Sequence, residues 1–149
     1  VLLFYGVIPV CFTYYIQTLS FSLLSFLLSV ALGLLSVNIL VVNNYRDYEQ
    51  DKAACKRTTI VLFGRRFVRV FYIFNECMAF VLVLPLVLEA PRWILFLFGL
   101  LFVLCFYTTR ELITLEGRAL NRTLGHTARN VFLFAAVLSL FFVYMGTAL

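Results

Sequence analysis

Asn43-Asn44-Tyr45-Arg46-Asp47-Tyr48-Glu49-Gln50-Asp51-Lys52-Ala53-Ala54-Cys55-Lys56-Arg57-Thr58-Thr59 is the one dense island of charge in this sequence, and residues 19–42 just before it carry no charge at all. An uncharged run of that length is long enough to cross a bilayer as a helix, so the polar island falls where the chain leaves the membrane. If the helix continues into the island, Asn44, Asp47 and Asp51 lie at i, i+3 and i+7 and share one face. Two carboxylates one turn apart, with an amide one turn earlier, suit a hard divalent cation that keeps waters and phosphate oxygens among its ligands. Lys56, Arg57 and Thr58 follow within reach of an anion held by such a cation. An anionic, metal-bound substrate at a membrane surface is the reading this stretch suggests. From spacing alone, an acidic, solvated loop at a helix end remains equally open.

Composition sets the class. The 149 residues are 64% hydrophobic and only 13% charged, with a mean hydropathy of +1.03, against about 25% charged in soluble domains. The expectation is an all-α, multi-pass protein of the lipid bilayer. The net charge of +5 does not indicate nucleic acid, because the basic residues lie between the apolar runs, where membrane orientation explains them. Cys11, Cys55, Cys77 and Cys105 form no C-x-x-C pair and three lie in apolar segments, so they read as small buried hydrophobes rather than a disulfide or zinc framework.

The apolar pattern predicts five membrane helices. Residues 1–17 form the end of one, with Pro9 as a kink, and residues 18–22 a turn. Residues 23–45 form a span of about 34 Å at ~1.5 Å per residue. A polar loop, helical at first, occupies residues 47–66, and residues 67–88 make the next span. Glu89-Ala90-Pro91-Arg92 is a tight connection. Residues 93–109 span again, with Trp93 at the interface. Residues 110–130 read as a second polar loop, and residues 131–149 as the last span. The two loops and their flanks hold Arg46, Lys52, Lys56, Arg57, Arg65, Arg66, Arg69, Arg110, Arg118, Arg122 and Arg129, eleven of the twelve basic residues, with Arg92 alone on the other side. The positive-inside rule places both loops in the cytoplasm of a cell-membrane protein. Val1 begins in mid-hydrophobic sequence with no basic leader, so no signal peptide is expected.

The island, continued by Val61-Leu62-Phe63-Gly64, resembles the second aspartate-rich motif of the UbiA superfamily of intramembrane aromatic prenyltransferases: N-N-x-R-D-x-x-x-D, then K-R-T. It is most similar to the branch that prenylates 1,4-dihydroxy-2-naphthoate in menaquinone synthesis. Thr13-Tyr14-Tyr15-Ile16-Gln17-Thr18 is similar to the T-Y-Y-x-Q-T of that branch, and Ala119-Leu120-Asn121 and Thr127-Ala128-Arg129 to its L-N and T-A-R positions. Two features depart from the pattern. Cys55 stands where the family usually has glycine, and the first aspartate-rich motif of the family is absent. The expectation is that residues 1–149 are the C-terminal portion of one prenyltransferase domain, five helices of a nine-helix bundle, and that the N-terminal half of the same enzyme is required for activity.

The resemblance implies specific roles. Asp47 and Asp51, with Asn44, are the expected Mg²⁺ ligands, the metal bridging a polyprenyl diphosphate that the carboxylates cannot bind directly. Arg46, Lys56 and Arg57 are the expected diphosphate ligands. Asn43, Tyr45, Tyr48, Tyr14 and Tyr15 are candidate cavity residues, the tyrosine faces stabilising an allylic cation. Each role has an ordinary alternative: helix C-capping for the asparagines, orientation and anionic-lipid contact for the basic residues, an interfacial position for the tyrosines. The acceptor is expected to be an aromatic acid, 1,4-dihydroxy-2-naphthoate; 4-hydroxybenzoate, homogentisate or a porphyrin side chain are the alternatives, and a non-enzymatic membrane remnant is a different one. A CDP-alcohol phosphotransferase is disfavoured, because its continuous aspartate pattern is absent. Glu76, beside Asn75 inside a span, is a candidate for cavity contact or for pairing with a neighbouring helix. His126 is expected at the surface, and Glu116 and Asn121 in a loop above the cavity.

Overall fold

The computed structural model describes residues 1–147, and among them every regular element is helical. A π-helical turn, Leu3–Val7, leads into α1 (Ile8–Thr18); then follow α2 (Leu23–Arg46), α3 (Tyr48–Ala53), α4 (Thr59–Leu88), α5 (Arg92–Thr114), a 3₁₀ turn (Gly117–Ala119) and α6 (Leu120–Thr147). Four helices are long and apolar enough to cross a membrane: α2, α4, α5 and the stretch Gly117–Met145. They correspond to four of the five expected spans. The first expected segment, residues 1–17, is also helical, the π turn Leu3–Val7 running without a break into α1. The last expected span, residues 131–149, runs as α6 to Thr147, and residues 148–149 lie outside the described residues.

Helix starts and stops follow local chemistry. The Ser22 side chain accepts a hydrogen bond from the Ser25 amide and caps α2, satisfying one of the free N–H groups of the first turn. Pro91 precedes α5 with an extended backbone, where its missing N–H costs nothing. Gly64 divides α4: its φ of 81° and ψ of 167° lie in a region essentially reserved for glycine. The long part of α4, residues 65–88, therefore crosses the membrane while residues 59–63 turn away at its end.

The expectation of a polar loop at residues 110–130 is corrected here. α5 continues to Thr114, α6 begins at Leu120, and only a short turn through Gly117 (φ 56°) separates them. Charge in the sequence marks where the helices leave the apolar layer, whereas backbone hydrogen bonding carries them several residues further. The 47–66 loop is likewise more helical than expected: it holds α3 and the first turns of α4.

The bundle packs in two apolar layers with a polar belt between them. Ala31, Leu35, Ala79, Val83, Ile94, Phe98, Phe134 and Phe141 fill one layer, where Phe134 meets Phe80 and Phe98 edge to face at 5.6 and 6.0 Å. Val41, Val42, Tyr45, Ile60, Val68, Tyr72, Leu112 and Leu120 fill the other, under the polar island. Between them, Asn75 Nδ2 donates to Asn38 Oδ1 at 2.9 Å and Asn38 Nδ2 to the Tyr72 carbonyl at 3.0 Å, joining α2 to α4. Tyr72 Oη meets Thr127 Oγ1 at 3.1 Å, and Asn130 donates to Thr108 at 2.9 Å, tying in α5 and α6. Such interhelical hydrogen bonds contribute roughly 0.6–2 kcal/mol each in a bilayer. Glu76 accepts from Thr109 on α5, so it pairs with a neighbouring helix. Near the N-terminus the backbones almost touch: a Cβ on Gly6 would lie 2.5 Å from Gly33 Cα, so neither residue can carry a side chain at this crossing. Outward-facing side chains such as Phe96, Phe106 and Phe132 are exposed, as lipid contact requires.

Candidate functional site

The site lies at the end of the bundle where α2 gives way to α3. Asp47 is the joint between them, at φ −91° and ψ 10°. The hydrogen-bond ladder nevertheless runs through it: Asp47 N donates to Asn43 O at 3.1 Å and Asp51 N to Asp47 O at 2.8 Å. The one-turn spacing of the two carboxylates survives the break.

Each carboxylate faces a cation of the chain. Arg46 Nε and Nη2 reach Asp47 Oδ1 and Oδ2 at 2.7 and 2.8 Å, a two-pronged contact of the kind that planar guanidinium makes well. The Arg46 guanidinium holds the Asp47 carboxyl below the usual carboxylate range. Lys56 Nζ sits 2.9 Å from Asp51 Oδ1, and the contact raises the Lys56 ammonium above the usual lysine range. The two aspartates differ in setting: the Asp51 side chain is 7% exposed and that of Asp47 28%. The chain returns from α3 through Cys55, which takes a left-handed conformation at φ 53°. That geometry explains why glycine suits this position, and it brings the Lys56 amide back onto the Asp51 carbonyl at 2.9 Å.

The other expected site residues divide into those the fold gathers and those it does not. Arg46 also donates to Asn43 Oδ1 and Asn121 Oδ1, both at 2.8 Å, so four of the five guanidinium N–H groups are engaged within the chain. Asp47, Gln50, Gly117, Arg118 and Asn121 surround a cleft of about 330 Å³ together with Arg46. Asn43 lines an apolar cleft of about 390 Å³ on the α6 side, with Tyr5, Ser36, Leu40 and Leu124. Asn44 faces another small cleft, beside Thr59 and Ile60 of α4. The described side chains therefore place Asn44 and Asp47 in different clefts. Arg57 is exposed and makes no hydrogen bond or ion pair to the described residues. Tyr45 is buried, its hydroxyl accepting from Arg69 Nε at 2.8 Å; Tyr48 packs under Arg65 at 5.0 Å. Tyr14 and Tyr15 lie on α1, joined by the turn to the far end of α2, a 24-residue helix about 36 Å long. The fold does not bring them to Asp47.

Sequence reasoning missed Gln50, Arg118 and Tyr5, which line these clefts, and Arg65, which bridges Glu49 and Glu116 in a separate cleft beside Arg46. Only the proximity of Gln50 to the aspartates was a usable signal; the others come from distant segments. His126, expected at the surface, is half-buried instead, its Nδ1 2.7 Å from Glu111 Oε2 on α5. It sits on α6 rather than in a loop, so it faces the neighbouring helix.

The donor set of two carboxylates and amide oxygens suits a hard cation, and each carboxylate already takes a cation from the chain. Among the described residues no group of three or more His, Cys, Asp or Glu is assembled for a metal. A divalent ion held here would thus complete its shell with waters, amides or substrate oxygens.

The fold is an all-helical membrane bundle that places two carboxylates one turn apart, with basic side chains around them, at one end of its spans. The chain belongs to the UbiA prenyltransferase family, whose profile matches residues 1–125. It is similar to the 1,4-dihydroxy-2-naphthoate octaprenyltransferase of Haemophilus influenzae, 42% identical over 72 residues, a stretch that covers 48% of this chain and 23% of that relative. No solved structure matches the chain significantly.

Proposed function

We propose that the whole enzyme to which these residues contribute transfers a polyprenyl group from its diphosphate to 1,4-dihydroxy-2-naphthoate, a step of menaquinone synthesis, on the cytoplasmic side of the cell membrane. The observation that carries this reading is the Asp47–Asp51 pair, one turn apart and flanked by Arg46, Lys56 and Arg57. The name of the Haemophilus influenzae relative supports the choice of acceptor, and the basic loops support the orientation.

Asp47 and Asp51 are the carboxylates that would hold Mg²⁺; Asn44, in a separate cleft here, would have to turn towards them to add its oxygen, and Asn43 Oδ1 already accepts from Arg46. When bound, the ion neutralises diphosphate charge and stabilises departing pyrophosphate. Arg57, without a partner among the described residues, and Lys56 grip diphosphate oxygens; Arg46 keeps one N–H for the same task while two others hold Asp47 and two hold Asn43 and Asn121. The breaking bond joins the allylic carbon to the diphosphate oxygen, and its electron pair leaves with pyrophosphate. The new bond forms from the electron-rich ring to that carbon, and the ring carboxylate departs as carbon dioxide. Tyr45 and Tyr48 lie beneath the polar end of the bundle, their rings taking Arg65, Arg69 and Lys52. The apolar cleft beside Asn43 offers the prenyl chain a path from the bilayer.

The experiment is an assay of membranes containing the whole protein, with one labelled prenyl diphosphate and a panel of aromatic acceptors. Prenylated product should form with 1,4-dihydroxy-2-naphthoate, vanish with a chelator and return with Mg²⁺. Turnover with 4-hydroxybenzoate or homogentisate alone would overturn the acceptor. No turnover with any of them would overturn the enzyme reading.

A further inference from the structure

Arg65 ties three elements together at the polar end of the bundle. Its Nη2 donates to Glu49 Oε1 on α3 and its Nη1 to Glu116 Oε1 in the α5–α6 turn, both at 3.0 Å. The guanidinium also lies 5.0 Å from the Tyr48 ring centre and 5.9 Å from that of Tyr45. Glu49 stands on α3 between Asp47 and Asp51. The residue before Arg65 is Gly64, whose glycine-only backbone turns α4 so that its next side chain reaches over the α2–α3 joint. Glu49 and Glu116 are well exposed, so either ion pair alone contributes little. Geometry gives the arrangement its effect: one planar group bridges two carboxylates from different elements while held against two rings, and a flexible single charge cannot reproduce that.

We propose that Arg65 is a positioning residue that fastens α3, and with it Asp51 and the return to Lys56, to the α5–α6 turn. Arg46 makes the parallel tie on the other side of Asp47, through Asn121. Together they fix the aspartate turn from both flanks, using the two ends of one short connection. Without Arg65, α3 hangs from the bundle by the Asp47 joint, the Cys55 return and its packing alone. A six-residue helix is far too short to hold its shape unaided. The inference rests on the reading that Asp47 and Asp51 bind the metal-bound diphosphate.

The test compares Arg65→Gln, Arg65→Lys and the exchanged pair Arg65→Glu/Glu49→Arg in the whole protein, in lipid nanodiscs. Two quantities are read: amide hydrogen exchange across residues 47–58, and the Mg²⁺ concentration giving half-maximal turnover. In Arg65→Gln, exchange in that segment should rise at least about tenfold while the α2 and α4 spans stay protected, since a local opening uncouples from the core. The Mg²⁺ requirement should rise several-fold, with the acceptor KM unchanged. Arg65→Lys should recover only part of the loss, and the exchanged pair should restore protection of α3 more than either single change. Unchanged exchange at residues 47–58 would overturn the proposal. So would faster exchange with an unaltered Mg²⁺ requirement in an enzyme that Asp51→Asn inactivates. Faster exchange alongside normal turnover of Asp47→Asn and Asp51→Asn would support the fastening and overturn the prenyl-transfer reading instead.

Discussion

Replacing Asp47 and Asp51 one at a time with asparagine removes the same charge from two unlike settings. If the two carboxylates hold the metal as proposed, each change should lower kcat at least about 100-fold, the loss of ~2.7 kcal/mol of transition-state stabilisation. Stability should separate them. Asp47 is more than a quarter exposed and its partner Arg46 keeps Asn43 and Asn121, so its loss should cost no more than about 1 kcal/mol. Asp51 is buried at 5% exposure. Asparagine there keeps one oxygen for Lys56 but turns a charge-assisted contact into a neutral one, a cost of roughly 1–2 kcal/mol. Turnover in membranes, normalised to protein abundance, gives the first quantity, and thermal unfolding in detergent the second. Near-normal turnover of both variants would refute the metal reading. Equal unfolding temperatures for the two would refute the assignment of different burial.

Arg57→Ala should raise the KM for the prenyl diphosphate by about one to two orders of magnitude, the loss of a charge-assisted contact, and leave the acceptor KM nearly unchanged; equal shifts in both would point to a folding defect. Single cysteines at Glu49 and Glu116 should react with an impermeant reagent from the cytoplasmic side, and one at Pro91 from the opposite side; labelling of Glu49 and Glu116 from different sides would refute their contact with a common Arg65. Cys55→Gly should stabilise the protein by up to about 1 kcal/mol, because glycine takes the left-handed conformation seen there at no steric cost; thermal unfolding measures it, and a clear destabilisation would refute the backbone argument.

The sequence by itself determined the helical membrane class, the four long spans, the end of the bundle that carries the charges and the spacing of Asp47 and Asp51. These are local properties: a run of apolar residues excludes the alternatives to a helix in lipid, and helical periodicity converts spacing into direction. The K-R-T and N-N-x-R-D pattern pointed to the family that the profile match then established. Tertiary structure decided what each polar residue touches. Arg46 reads as a substrate ligand from its neighbours, yet Asn121, 75 positions away, shares it with Asp47. Asn44 lies in register with Asp47, yet α4 packs against it and gives it a separate cleft. Asp51 belongs to the most polar stretch of the chain, yet the fold buries it. Glu116 lies in the loop where it reads, but Asn121 stands on α6, and the three-residue 3₁₀ turn between them sets both against the far side of the site. Hydropathy records where a helix meets water; it carries no record of which helix stands beside it, and these contacts join segments that only packing brings together.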